Sequence, residues 1–129
     1  MKQIYLILTL SLFFSFFGYS QTVNPNVKSL SNKEFKQLID TKSVTLIDVR
    51  TPEEFAENHI PGALNIDVNS TDFVDHIKKL IKKKPLALYC RSGHRSKLAA
   101  SKLTDLKITI FNLNNGLKDW IQAGFPTEK

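Results

Sequence analysis

Short apolar runs alternating with helical stretches predict an α/β domain, a small and mostly parallel sheet with helices on both faces. Three observations carry that prediction. Val44-Thr-Leu-Ile-Asp48, Leu86-Ala-Leu-Tyr89 and Ile108-Thr-Ile-Phe-Asn-Leu113 are short, apolar runs, the pattern of buried strands. The segments between them carry helix caps and apolar residues at helical spacing. A chain of 129 residues, 42% hydrophobic and 23% charged, suffices for one small domain and excludes a disordered chain or a collagen-like fibre.

Taken in order, the first twenty residues stand apart. Lys2 precedes an apolar run, Ile4 to Phe17, that ends in Gly18-Tyr-Ser20, the anatomy of a secretory signal peptide. The run is shorter than the roughly 20 residues of a membrane-crossing helix. Cleavage is expected after Ser20, giving an exported protein, periplasmic or secreted, without stable membrane insertion. Residues 21–27 are polar with one Pro and read as a short leader to a domain spanning 28–129.

Ser31-Asn-Lys-Glu34 is a capping box opening a helix through Phe35, Leu38 and Ile39. After the strand at Val44–Asp48, Thr51-Pro-Glu-Glu54 starts a brief helix, with Thr as cap and Pro at the first position. His59-Ile-Pro-Gly62 ends it, and Ala63-Leu-Asn-Ile66 reads as a short strand. A helix is expected from Asp72 to Lys83, with Phe73, Ile77, Leu80 and Ile81 on its apolar side. Beyond the strand Leu86–Tyr89, Arg91 to Arg95 reads as a polar loop, and Ser96 as the cap of a helix carrying Ala99, Leu103 and Leu106. Asn114-Asn-Gly116 turns the chain into a last helix with Leu117, Trp120 and Ile121, stopped by Gly124 and Pro126.

Basic residues outnumber acidic ones 18 to 12, and much of the excess sits at Lys78, Lys79, Lys82, Lys83 and Lys84. These lysines form the polar face of an amphipathic helix. They lack the aromatic or Arg readout of a nucleic-acid site, so no nucleic acid is expected as partner. Nor do the histidines show ligand spacing, so neither a metal nor a cofactor is expected. No extensive apolar patch is evident, and a monomer is expected.

The chain holds one cysteine, which excludes an intramolecular disulfide, a Cys-rich zinc site and a CxxC redox pair. Cys90 directly follows a strand, and in parallel sheets ligands bind beyond the carboxyl ends of strands. Arg91 and Arg95 bring two positive charges, and a helix start brings unpaired amides and the positive end of a dipole. Gly93 allows the backbone to turn its amides inward. Such surroundings favour thiolate over thiol and face an anionic substrate. The competing reading is a small core residue at a strand end, a common place for a free cysteine. His94 fits either a proton-handling residue or an ordinary loop histidine.

Leu46-Ile-Asp-Val-Arg-Thr-Pro-Glu-Glu-Phe55, His59-Ile-Pro-Gly-Ala63, Cys90-Arg-Ser-Gly-His-Arg-Ser96 and the ending Asn115-Gly-Leu-Lys-Asp-Trp120 with Gly124-Phe-Pro126 resemble, in order, the rhodanese (thiosulfate sulfurtransferase) homology domain. One departure is Asn115 where that family usually has Gly; Asn tolerates the left-handed conformation, so the turn is expected to survive. The resemblance implies a reaction in two halves. Cys90 takes the outer sulfur of a small anionic donor such as thiosulfate, releasing sulfite, and the persulfide passes that sulfur to a thiol or cyanide acceptor. It further implies that Arg91 and Arg95 favour the anionic donor, and that the amides of Arg91, Ser92, Gly93, His94, Arg95 and Ser96 cradle the persulfide. Asp48 and Arg50 match a supporting, hydrogen-bonding element, and Glu54, His59 and Gly62 match structural positions.

Related phosphatases and arsenate reductases carry Cys-x5-Arg, whereas this chain reads Cys90-x4-Arg95, the sulfur-handling loop length by the same resemblance. A second function stays open from the residues alone. It is a persulfide-accepting or partner-docking module with little activity on free thiosulfate; partner capture that persists in Cys90→Ser favours docking, and its loss favours covalent transfer.

Overall fold

The computed structural model describes residues 24–81 and 84–129. Five strands form its sheet: β1 (Val27–Leu30), β2 (Thr45–Asp48), β3 (Leu64–Asn65), β4 (Leu86–Tyr89) and β5 (Ile110–Leu113). They lie in the order β1-β5-β4-β2-β3, and every pair is parallel. Parallel neighbours cannot be joined by tight turns, so the connections cross the faces of the sheet as helices. These are α1 (Asn32–Asp40), α2 (Pro52–Glu57), α3 (Phe73–Leu80) and α4 (His94–Ser101), followed by α5 (Gly116–Gln122). The α/β class with helices on both faces is as the sequence predicts.

Strand alternation sorts the core into two layers. Ile47, Val49, Leu86, Leu88, Cys90 and Ile110 pack with Phe73 and Ile77 of α3 and Ala99 and Ala100 of α4. Leu46, Ala87, Tyr89 and Leu113 pack on the opposite side with Phe35 of α1 and with Leu117 and Trp120 of α5. All four residues of β4 are buried, so the central strand delivers Cys90 from the middle of the sheet.

The caps read from the sequence are present. Ser31 Oγ accepts the Glu34 amide at 3.2 Å, and Thr51 Oγ accepts the Glu54 amide at 3.2 Å. At the far end, Phe125 N–H donates to the Trp120 carbonyl and Gly124 N–H to that of Ile121, a Schellman closure of α5. Trp120 and Phe125 stack with ring centres 4.7 Å apart, and Trp120 Nε1 donates to the Pro126 carbonyl at 2.9 Å. The aromatic and the terminal Gly-Phe-Pro therefore form one packed unit. His59 ties the chain end down as well, exchanging two 2.8 Å backbone hydrogen bonds with Glu128.

Several sequence expectations need correction. β1 begins at Val27, inside the segment read as a leader, and the buried Asn24 side chain donates to the Ala100 carbonyl at 3.0 Å. β1 escaped notice because Val-Lys-Ser-Leu is short and half polar; its ladder with β5 makes it a strand. The lysine-faced helix closes at Leu80, because Ile81 is already extended and its amide caps the Ile77 carbonyl. Lys82 and Lys83 lie outside the described residues, as do the expected signal peptide and its cleavage site. The last strand starts at Ile110 rather than Ile108. α4 starts at His94, so the loop after β4 is shorter than predicted and Ser96 sits inside the helix instead of capping it. Among the described residues, no helix is long and apolar enough to cross a membrane.

Candidate active site

Cys90 leaves β4 as a buried side chain with 1% exposure. Its sulfur accepts the Gly93 amide at 3.1 Å and stands 3.6 Å from the Ser96 hydroxyl. Ser96, fully buried in the first turn of α4, donates from Oγ to the Gly93 carbonyl at 3.1 Å. The short turn therefore folds around the sulfur, with a helix N-terminus pointing at it, an arrangement that stabilises negative charge.

Two glycines make this turn possible. Gly93 has φ +94°, and a Cβ there would overlap the Asn114 carbonyl oxygen. Gly116 has φ +73°, and a Cβ there would overlap the Arg91 carbonyl and stand 2.7 Å from the Ser92 nitrogen. Both positions need glycine twice over, for the left-handed backbone and for the close approach of two chains.

The reason for that approach lies in α5. Its first turn has no side-chain cap; instead the Leu117 amide donates to the Cys90 carbonyl at 2.8 Å and the Lys118 amide to the Arg91 carbonyl at 3.1 Å. The cysteine loop thus caps α5, and α5 fixes the backbone of the cysteine. Sequence reasoning placed Asn114-Asn-Gly116 at this sheet end without this link. Asn115 has φ −100°, so its substitution for Gly never meets the left-handed region; Gly116 alone carries that demand.

The other site residues divide by exposure and pairing. Arg91, Ser92 and His94 are exposed around the buried sulfur, and Arg91 forms no salt bridge among the described residues. Arg95, expected from the sequence to bring positive charge toward an anionic donor, is paired with a carboxylate. Its two terminal nitrogens grip Glu54 at 2.6 and 2.8 Å. Those hydrogen bonds hold the Glu54 carboxyl at about 2, well below its ordinary 4.5, and raise Arg95 in turn. Glu54 is thus more than the capping residue it resembles in sequence. It ties α2 to the first turn of α4.

Asp48 and Arg50 do come together, in a buried pair with Nη2 to Oδ2 at 2.7 Å and both Nε contacts at 3.0 Å. Burial opposes the Arg50 charge, and the hydrogen bonds and charge of Asp48 more than offset it, so the guanidinium is held protonated. Arg50 also donates to the Asn58 carbonyl at 2.6 Å and stands 6.0 Å from the Tyr89 ring centre. Alternation puts this pair on the face opposite the Cys90 side chain, so it braces the strand ends and does not touch the sulfur. Tyr89, the residue before the cysteine, accepts the Ile60 amide on its hydroxyl at 3.0 Å, and burial pushes its phenol up.

A sulfur at a strand end, met by a backbone amide and a helix N-terminus, can act as a nucleophile toward a small anion. The rhodanese-like domain profile matches residues 31–123, most of the chain and all of this site. The chain belongs to the rhodanese-like domain family. It is 34% identical to a sulfurtransferase of Allochromatium vinosum over 70% of this chain and 84% of that one. It is 30% identical to the thiosulfate sulfurtransferase GlpE of Pseudomonas syringae, over 74% of this chain and 88% of the relative. Among solved structures, the rhodanese-related protein of Thermoplasma volcanium superposes with a TM-score of 0.69 at 29% identity, covering 78% of this chain and 97% of that one.

Proposed function

We propose that this rhodanese-family chain is an exported sulfurtransferase that carries a sulfane sulfur on Cys90. The donor is a small anion such as thiosulfate, or a persulfide, and the acceptor is a thiol or cyanide. The observation that carries the reading is the Cys90 sulfur held at the strand end by the Gly93 amide, on a backbone clamped by α5.

In the first half-reaction the ionised sulfur attacks the outer sulfur of thiosulfate. A new S–S bond forms, the sulfur–sulfur bond of the donor breaks, and sulfite leaves with the bonding pair. The negative outer sulfur of the persulfide then lies at the N-terminal end of α4, beside the turn amides and within the field of Arg91. In the second half-reaction a thiolate or cyanide attacks that outer sulfur and Cys90 departs as thiolate. The backbone bonds from Leu117 and Lys118 keep residues 90 and 91 in place while the sulfur changes partners.

Support comes from the site geometry and from two relatives whose names denote sulfurtransfer. The test incubates the domain with thiosulfate and follows sulfite release and intact mass, with Cys90→Ser as control. Gain of one sulfur atom by the wild type alone supports the reading; a wild type that neither gains sulfur nor releases sulfite ends it. Export rests on the Lys2–Ser20 pattern, and N-terminal sequencing of the protein recovered outside the cytoplasm tests it.

A further inference from the structure

Asn24, Asp48, Arg50, His59, Ser96 and Asn112 are the buried polar residues among those described. Five of the six side chains have hydrogen-bond partners. Asn112 is fully buried, and neither its amide nitrogen nor its carbonyl oxygen is bonded. An orphaned buried carboxamide is destabilising, and Asn is a poor residue for an interior strand. Its position needs a reason.

The register supplies one. Ile110 faces the α3–α4 layer and Leu113 the opposite layer, so Asn112, two residues after Ile110, faces α4. Asn112 is the cross-strand partner of Leu88. Cys90, two residues beyond Leu88 on the same face, is therefore its diagonal neighbour. Over this corner lies the first turn of α4 with the buried Ser96 hydroxyl. Three buried polar groups thus share one otherwise apolar face.

As a thiol, Cys90 donates to Ser96 Oγ, and the Ser96 hydroxyl in turn donates to the Gly93 carbonyl. When the sulfur ionises, that direction reverses, and Ser96 Oγ, which no longer accepts from sulfur, is left open to a donor behind it. We propose that Asn112 is a positioning residue for the Cys90 nucleophile, its carboxamide N–H donating to Ser96 Oγ so that the Ser96 hydroxyl donates to the ionised sulfur. The inference rests on Cys90 being the reactive group proposed above. The charged and titratable groups around that sulfur are Arg91 on its own turn, His94 and Arg95 in the first turn of α4, and Glu54 on Arg95, and none is altered in the test.

The experiment measures the rate of Cys90 alkylation by iodoacetamide at pH 6 and pH 9 in Asn112→Val, Asn112→Thr and wild type, each with a thermal melt. Val and Thr share a shape and differ in the hydroxyl, so packing is matched. The expected result is that the pH 6 to pH 9 rate ratio falls on the order of threefold or more in Asn112→Val. Asn112→Thr recovers at least half of that loss, and the Val effect disappears in a Ser96→Ala background. Identical ratios in all three proteins overturn the proposal, as do equal losses in Val and Thr or a Val effect that persists without Ser96. Alkylation requires no sulfur donor, so a protein that transfers no sulfur still gives a clear answer here.

Discussion

Arg95 and Glu54 grip each other through two parallel hydrogen bonds, 2.6 and 2.8 Å, and so join the first turn of α4 to α2. The pair explains why two residues 41 positions apart act as one unit, and why the charge of Arg95 reaches the site already partly neutralised. It also has a pH signature. Glu54 sits at about 2 in the folded chain against an ordinary 4.5, so its folded value is depressed. Its stabilisation is complete above pH 4.5 and drains away as pH falls toward 2. Both side chains are more than a quarter exposed, which limits the pair to about 1 kcal/mol. Urea unfolding of Glu54→Gln is expected to show that deficit at pH 7, and the gap to wild type is expected to close as pH approaches 2.

Asp48→Asn removes one half of a buried ion pair and leaves the Arg50 guanidinium uncompensated. Such changes cost about 3–5 kcal/mol. Chemical denaturation of the variant is expected to reveal a loss of that size, far larger than for Glu54→Gln. A loss below about 1 kcal/mol would mean that Asn58 and water carry Arg50 unaided.

Gly116→Ala places a methyl group against the Arg91 carbonyl and demands a left-handed backbone from alanine. Destabilisation of at least about 2 kcal/mol is expected. Because Leu117 and Lys118 hold the carbonyls of Cys90 and Arg91, activity is expected to fall further than stability explains. Sulfite release measured well below the melting temperature separates the two effects.

Tyr89→Phe deletes the acceptor of the buried Ile60 amide while keeping the ring. The orphaned N–H is expected to cost about 1–3 kcal/mol. Thiosulfate turnover per folded molecule is expected to stay near wild type, since the Tyr89 side chain faces away from the Cys90 sulfur. A parallel collapse of turnover would show that this amide positions the site.

Much of the architecture was legible because it rests on local rules. Thr51, Pro52 and Glu54 announce a helix by spacing alone, and Leu86–Tyr89 announces a buried strand by composition. β1 was not legible, since Val-Lys-Ser-Leu becomes a strand only when β5 lies beside it. α4 starts three residues before the position its sequence suggests, because Ser96 resembles a cap while its hydroxyl belongs to the buried pair with Cys90.

By itself the sequence determined the class of fold, the place of the lone thiol at the end of a strand, and a glycine at residue 93 that lets the backbone turn after it. Those are properties of neighbouring residues, set by backbone sterics and by the period of apolar side chains. Only the tertiary structure decided which partners the charged and polar groups would take. It gave Arg95 to Glu54, capped α5 with the carbonyls of Cys90 and Arg91, and set Asn112 without a partner beside the site. Hydrogen bonds and ion pairs act over about 3 Å, and residues tens of positions apart come that close only once the sheet has closed.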